Sequence, residues 1–198
     1  KQHDTMTLGF LLFPGFPMAC LTSAIEPLRA ANEIAGKDVF RWKLVSENGN
    51  GVNASANVVF QPDCALEDVD NLNILFLMSS PQGKFTDPKS SNGKLRHLAR
   101  HGVIPLARSG LLEGHACSVH WCYKAAFQAE FPSLETVDDV IVLDRRRFTA
   151  SGAAAMFDLS LKLIEQTMGD AVMTEVACWF QHPLVRAEGV RQKIPAFK

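Results

Sequence analysis

Long apolar runs, an excess of one charge and a regular cysteine pattern are all missing from this sequence of 198 residues. No stretch reaches the roughly 18 consecutive apolar residues that a membrane-spanning helix requires. The first residues, Lys1–Thr5, lead directly into a strand-like segment and do not resemble a signal peptide. The formal net charge is −1, so the composition gives no reason to expect that this chain itself binds nucleic acid or an anionic membrane.

The cysteines are odd in number and widely separated, with neither the spacing of a zinc site nor that of a disulfide framework. They are Cys20, Cys64, Cys117, Cys122 and Cys178. Because scattered free cysteines are typical of a reducing compartment, we expect a cytoplasmic protein.

Motifs for cofactors, metals and serine nucleophiles are also missing. The turn Pro14–Pro17 holds a single glycine and matches neither Gly-x-Gly-x-x-Gly nor a Walker loop. His97 and His101 could share a helix face, but without an adjacent carboxylate a solvated face is the better interpretation. Ser109 lies in Arg-Ser-Gly and not in the Gly-x-Ser-x-Gly elbow of an esterase. We therefore expect no cofactor and no metal.

What the chain does contain is an alternation of strand-like and helix-like segments. Apolar runs at Thr7–Phe13 and Leu72–Met78 indicate strands buried on both faces, as in a parallel sheet. Further strands are predicted at 40–45, 116–120, 137–143 and 147–150, with a pair of short strands in 52–60, and helices at 94–101, 106–112, 121–131, 153–168 and after Asp170. This alternation predicts an α/β fold with a doubly wound, mostly parallel sheet flanked by helices on both faces.

The helical segment before Gly36 contains Pro27. This proline lies either in the first turn of a short helix or inside a longer helix that begins near Met18. In two later helices the three- and four-residue spacing places Tyr123 and Trp179 on the inward face.

The stretch from Gly102 to Trp121 has the highest density of turn-forming residues and of side chains that could bind a ligand or react. A strand there delivers His120 and Trp121 to the carboxyl edge of the sheet, where ligands of open α/β sheets bind. The alternative is a strand-end histidine and a core tryptophan. Only residues 102–105 join two predicted helices, which is too short for a parallel strand with turns. Either the chain runs from helix to helix or a segment is absent here.

Glu26 and two cysteines are the other candidates for chemistry. Glu26 lies near the start of a helix after the first strand and could point at the sheet edge, but Ser23-Ala-Ile-Glu26 also matches a capping box. Cys117 lies in an apolar strand and Cys122 begins a helix. No glycine-flanked elbow presents either thiol, so catalysis by them is the weaker interpretation.

Several motifs occur together in one order. In chain order they are Glu26–Asn32 (EPLRAAN), Leu106–Gly114 (LARSGLLEG), Ser118–Trp121 (SVHW), and Phe148–Ala155 together with Asp158-Leu159 and Leu163–Glu165. They resemble the LAxAGLLDGxxAT-HW, EPLRAAN and TxxGxxAxxDLxLxLIE motifs of GlxA-like AraC-family transcriptional regulators. The resemblance extends from about Thr7 to Arg191.

This resemblance implies that residues 1–186 form an N-terminal domain similar to the ThiJ/PfpI (class I glutamine amidotransferase-like) fold, which senses a small metabolite. Residues 187–198 would then begin a linker to a DNA-binding helix-turn-helix domain absent from this chain. Enzymes of the superfamily have a cysteine elbow, a glutamate and a histidine. Glu26 and His120 match the last two. The elbow would lie just before Gly102, and no cysteine stands there, which argues against catalysis.

We therefore expect a homodimeric regulatory domain that binds a small amine or amino-acid-like effector at the carboxyl edge of the sheet, and no membrane contact. The predicted ligand-binding residues are Glu26, Ser79, Ser80, Pro81, Gly102, Val103, His120 and Trp121. Two alternatives stay open. One is a ThiJ/PfpI-type cysteine hydrolase, hydratase or glyoxalase-like enzyme, and the other is a dimerisation domain with a closed pocket.

Overall fold

The computed structural model describes residues 5–80, 83–100, 113–144, 147–150, 152–182 and 189–194. The strands are β1 (Met6–Leu12), β2 (Phe40–Ser46), β3 (Val52–Asn53), β4 (Val59–Phe60), β5 (Cys64–Ala65), β6 (Ile74–Met78), β7 (Cys117–Ser118), β8 (Thr136–Val137), β9 (Ile141–Asp144) and β10 (Arg147–Ala150). The helices are α1 (Met18–Ala35), α2 (Pro88–Arg100), α3 (Lys124–Glu130), α4 (Ala153–Met168) and α5 (Asp170–Trp179).

A parallel sheet with the strand order β5-β2-β1-β6 forms the centre of the fold. Strand β1 pairs with β2 on one side, where Phe10 lies opposite Leu44, and with β6 on the other, where it lies opposite Phe76. Strands β7 and β8 form a second parallel pair, and β9 with β10 an antiparallel one. The predicted α/β class with a mostly parallel sheet is confirmed.

Helices cover both faces of β1, whose side chains alternate between two cores. Leu8 and Phe10 are fully buried in the core formed with α1, α4 and α5. Leu11 belongs to the opposite core, which includes Leu95 of α2. Gly9 faces this second side, where an added Cβ would contact the methyl ends of Leu72 and Leu75. Burial on both faces explains why the β1 sequence is apolar without alternation.

Helix α1 begins at Met18, so the longer of the two predicted helices is correct and Pro27 lies inside it. Gly36 ends the helix in the left-handed conformation with φ of 62°, as predicted from its position. The side chain of Asn32 then fixes the return of the chain into β2, because its Oδ1 accepts the backbone N–H groups of Val39 and Phe40.

Several local predictions are wrong. Helix α2 begins at Pro88, six residues before the predicted start, because Pro88 occupies a first-turn position and Asp87 caps the helix by accepting the Ser90 N–H at 3.2 Å. The predicted strand 137–143 is divided between β8 and β9. Tyr123 and Trp179 are 47% and 51% exposed, so neither faces the core as the helical spacing indicated.

The predicted helix 106–112 and the short link 102–105 lie outside the described residues. In the part of the chain that the structure describes, no helix has the length and apolar character needed to cross a membrane.

Candidate functional site

The end of β6 contacts the turn that follows β1. The Phe13 N–H donates to the Met78 carbonyl at 2.9 Å, and the Ser79 hydroxyl donates to the Ser80 carbonyl at 2.8 Å. Gly15 adopts a φ of 77°, and a Cβ there would lie 3.5 Å from the Ser80 hydroxyl oxygen. Ser79 and Ser80 are half-buried and lie at the carboxyl edge of the parallel sheet, as predicted.

His120 lies beyond the end of β7 and caps a short 3₁₀ turn, Trp121–Tyr123. Its ring centroid lies 5.5 Å from that of Trp121 and 5.8 Å from that of Tyr123. Its Cδ2 also faces Gly152, at the start of α4, where an added Cβ would lie 4.0 Å away. The predicted His-Trp pair is therefore part of a three-ring cluster, His120, Trp121 and Tyr123, which we call the aromatic edge.

Gln192 holds the aromatic edge from a distant part of the chain. Its side-chain Oε1 accepts the backbone N–H of Trp121 at 2.8 Å, and its Nε2 donates to the Val119 carbonyl at 2.8 Å. The backbone of the same segment is bound too, because Gln192 N–H donates to Asp138 and Val140 N–H donates to Val190, both at 2.7 Å. The described residues 189–194 of the expected linker are thus hydrogen-bonded to the domain.

Asp138, beside this segment, carries an ion pair with Lys124 at 2.6 Å. The hydrogen bond from Lys124 and its charge lower the pKa of Asp138, with a smaller contribution from Arg191. The carboxylate therefore stays ionised next to the backbone that binds the 189–194 segment.

Glu26 lies in the middle of α1, whereas both interpretations from the sequence placed it near the start of a helix. It is eight residues after Met18, about 12 Å along the helix axis. The N-cap is Pro17, which makes no side-chain cap hydrogen bond, so the capping-box interpretation is wrong. The Glu26 carboxylate instead pairs with Arg29 at 3.0 Å, and Arg29 also contacts Glu33 at 2.7 Å.

The remaining predicted site residues, Pro81, Gly102 and Val103, lie outside the described residues. The described ones form two groups: Ser79 and Ser80 at the end of β6, and His120 with Trp121 at the end of β7. Sequence reasoning missed Gln192, because the polar residues after Ala187 have no periodic pattern that could have indicated a contact.

The cysteines differ in environment. Burial raises the pKa of the Cys20 thiol. Burial and the nearby charge of Glu135 raise that of Cys117, which is 1% exposed. Both thiols are therefore poor nucleophiles. Cys122 is half-buried, and its Sγ lies 3.0 Å from His120 Nδ1.

Among the described residues, no group of three or more His, Cys, Asp or Glu side chains is placed to hold a metal ion.

Curated relatives match almost the whole chain. The HTH-type transcriptional regulator GbdR of Pseudomonas aeruginosa is 30% identical over 98% of this chain and 56% of its own length. The regulator CdhR of the same species is 32% identical over 93% of this chain and 57% of its own length. The chain thus spans just over half the length of these regulators. An isonitrile hydratase of Pseudomonas putida is 25% identical over 83% of this chain and 73% of its own length. No protein-family model matches the chain.

Solved structures show the same fold. An AraC family transcriptional regulator from Pseudomonas putida superposes with a TM-score of 0.77 at 23% identity, covering 88% of this chain and 99% of that one. Drosophila melanogaster DJ-1beta gives a TM-score of 0.72 at 22% identity, covering 90% and 98% of the two chains.

Proposed function

We propose that this chain, a DJ-1/ThiJ/PfpI-type domain whose curated relatives are HTH-type transcriptional regulators, is the effector-binding domain of such a regulator. The aromatic edge is the observation that carries this proposal. It combines exposed aromatic surface with a backbone position held by a distant segment, and such a combination suits a pre-formed ligand site.

The effector class that the aromatic edge suits best is a small amine or an amino-acid derivative. Faces of Trp and Tyr rings attract cations, and ammonium groups are bound by clusters of such rings. Tyr123 is 47% exposed and Trp121 is half-buried, so both rings offer a face that a small ligand can reach. Ser79 and Ser80, at the end of β6, add hydroxyl groups suited to the polar part of the ligand.

Glu26 has a secondary part in this proposal. Its charge is already paired with Arg29, so it could bind a cationic effector only by exchanging one partner for another. We therefore assign the cation to the aromatic rings, and Pro81, Gly102 and Val103 remain proposed lining residues.

We propose no catalytic activity for the domain. The hydrolases and hydratases of the fold use an elbow cysteine, and this sequence has no cysteine between Cys64 and Cys117. The similarity to an isonitrile hydratase supports the alternative that the domain is an enzyme of the hydratase type. A hydratase assay with a small isonitrile distinguishes the two, because turnover above the rate of a heat-denatured sample would support the enzyme.

The whole protein, on this proposal, is a cytoplasmic homodimer that binds DNA through a helix-turn-helix domain. The support is the relationship to regulators roughly twice as long as this chain. Light scattering of the purified domain measures the dimer directly.

Thermal unfolding of the purified domain with choline, tetramethylammonium and the common amino acids tests effector binding. A ligand at 100 times its Kd stabilises a protein by about 2.7 kcal/mol, which corresponds to a Tm rise of about 5–10 °C for a chain of this size. If none of these compounds shifts the Tm of a well-folded sample, the proposed effector class is wrong.

Two tryptophan substitutions localise the site. Trp121→Ala should weaken binding at least tenfold, because it removes a ring of the aromatic edge. Trp179→Ala is the matched control, because Trp179 is 51% exposed on α5 and lies outside the proposed site. Equal losses in the two variants would contradict the assignment of the site to the aromatic edge.

A further inference from the structure

Cys122 and His120 form a thiol–imidazole pair. The Cys122 Sγ lies 3.0 Å from His120 Nδ1, within the distance at which a base activates a nucleophile. The pair is local, because the 3₁₀ turn that begins at Trp121 brings residue 122 back towards its capping histidine. Cys122 is half-buried, so small molecules can reach it.

The direction of the hydrogen bonds defines the state of the imidazole. The backbone N–H of Cys122 donates to the same Nδ1 at 3.4 Å. Since a backbone N–H can only donate, Nδ1 carries a lone pair and the neutral ring holds its proton on Nε2. The Cys122 thiol therefore lies within hydrogen-bonding distance of a nitrogen that can accept its proton.

The surroundings of Cys122 also differ from those of the other cysteines. Electrostatic interaction with Cys122 and a hydrogen bond to its sulfur raise the pKa of the Tyr123 hydroxyl, so this hydroxyl stays protonated beside the sulfur. The Cys117 thiol is instead buried and donates to the Glu135 carbonyl at 3.4 Å. Burial raises the pKa of the Cys64 thiol as well. Cys178 is exposed on α5 and serves as an internal reference.

We propose that Cys122 is a site of covalent modification by small α,β-unsaturated carbonyl compounds, with His120 accepting the thiol proton. The sulfur forms a C–S bond to the β-carbon while the electrons of the carbon–carbon double bond move to give an enolate. The proton leaves sulfur for Nδ1 of His120 and is delivered, directly or through water, to the α-carbon. Nothing is expelled, and no oxidant or reductant is needed.

A planar electrophile suits this position because the residues on either side of Cys122 in the sequence carry aromatic rings that lie close to the His120 imidazole. Trp121 and Tyr123 both pack near the imidazole, with ring centroids within 6 Å of its own. The inference does not require effector binding, since it rests on the Cys122–His120 contact alone.

Labelling with N-ethylmaleimide, an α,β-unsaturated dicarbonyl, tests the proposal. An ordinary thiol with a pKa of about 8.5 is about 1% ionised at pH 6.5, so an unassisted cysteine reacts slowly there. We expect Cys122 to react at least tenfold faster than Cys178 at pH 6.5 in the native protein. Peptide mass spectrometry with fragment ions separates the Cys122 adduct from one on Cys117. A Cys122 rate equal to or below that of Cys178 would overturn the proposal.

A variant and a denatured control isolate the role of His120. His120→Asn keeps an acceptor for the Cys122 N–H, because asparagine is a good helix cap, but it removes the base. We expect this variant to bring the Cys122 rate to within about threefold of Cys178, and an unchanged ratio would contradict the role of His120. In 6 M urea, the unsubstituted protein should label Cys122 and Cys178 at nearly equal rates. This control separates the effect of the folded geometry from that of the local sequence, and it does not depend on the folding of any variant.

Discussion

Asp158 has a structural role that its sequence motif alone does not reveal. It belongs to the Asp-Leu pair of the TxxGxxAxxDLxLxLIE motif, and its side chain is fully buried in α4. Its Oδ1 lies 2.6 Å from His182 Nε2, and the His182 ring lies 4.9 Å from the ring of Phe157. The pair joins the residues after α5 to α4, so the structure explains this aspartate by packing and not by ligand binding.

At the residue scale, Asp158→Ala should lower the free energy of unfolding by about 3 kcal/mol, because it removes the partner of a hydrogen-bonded imidazole and leaves a polar site unfilled. Asp158→Asn should cost less than half as much, since its Oδ1 can still accept a hydrogen bond from the Nε2–H of His182. Urea unfolding at pH 7.5 measures both.

The control for this comparison lies on the same helix. Glu165 forms a surface ion pair with Lys162 at 2.7 Å. Exposed pairs contribute little, so Glu165→Gln should change stability by less than about 0.5 kcal/mol. A loss of similar size in Asp158→Ala and Glu165→Gln would show that burial of the Asp158–His182 pair has no effect on stability.

At the scale of elements, the start of α2 depends on a carboxylate from the turn after β2. Glu47 accepts the backbone N–H groups of Thr86 and Asp87 at 2.7 and 2.8 Å, and the Ser91 hydroxyl at 3.0 Å. Burial acts to raise the pKa of Glu47, but these hydrogen bonds outweigh it and lower the pKa below its usual value. Glu47 thus ties the beginning of a helix to the central sheet.

This shift predicts a pH-dependent contribution to stability. Because the pKa of Glu47 is lower in the folded state, the unfolded state binds the proton first as pH falls. The stabilisation is complete above the unfolded pKa of about 4.3 and is lost as pH falls through the lower folded value. Glu47→Gln should therefore have a lower urea midpoint than the native chain at pH 7, and the difference should shrink from about pH 5 towards pH 3.

Glu67 provides a matched control for Glu47→Gln. It is exposed in a 3₁₀ turn, where its backbone carbonyl, not its carboxylate, accepts Lys94 Nζ at 2.8 Å. Glu67→Gln should leave the urea midpoint almost unchanged at both pH values. A pH-independent difference for Glu47→Gln would show that its ionisation is not coupled to folding.

At the scale of the whole molecule, Gln192 connects the proposed ligand site with the segment that follows α5. Its side-chain amide bonds to residues 71 and 73 positions earlier in the chain. An effector that moves Trp121 would therefore also act on residues 189–194. If the chain is the effector-binding domain that we propose, residues 189–194 would couple effector binding to the part of the protein that follows them.

Gln192→Ala should release that segment without unfolding the domain. We expect faster amide hydrogen exchange at Trp121 and across 189–194, by at least tenfold, since the side-chain hydrogen bonds of Gln192 to the Trp121 backbone N–H and to the Val119 carbonyl are lost. The loss in global stability should be only about 1–2 kcal/mol. Lys193→Ala, at an exposed neighbouring position, is the control and should leave the exchange rates unchanged. Equal exchange in the two variants would contradict the coupling.

The regular elements could be predicted because their signals are local. The α4 prediction, Ala153–Met168, matches the structure at both ends, and the position of Gly36 marks the end of α1. Apolar runs likewise predicted β1 and β6, and the strand predicted at 147–150 matches β10, which pairs with β9. The start of α2 was misplaced because Glu47, whose carboxylate binds the backbone just before the helix, lies about 40 residues away.

By itself, the sequence determined the α/β class, the parallel central strands, the family resemblance and the position of Ser79, Ser80, His120 and Trp121 at strand ends. Hydrophobic periodicity and turn residues act over one or two turns of chain, so they carry this information directly. Only the tertiary structure decided that Tyr123 is exposed, that Glu26 is paired on its own helix, that Asp158 meets His182, and that Gln192 holds the aromatic edge. The contacts of Asp158 and Gln192 join residues 24 to 73 positions apart, and no periodic pattern encodes which distant polar groups will meet once the helices and strands pack.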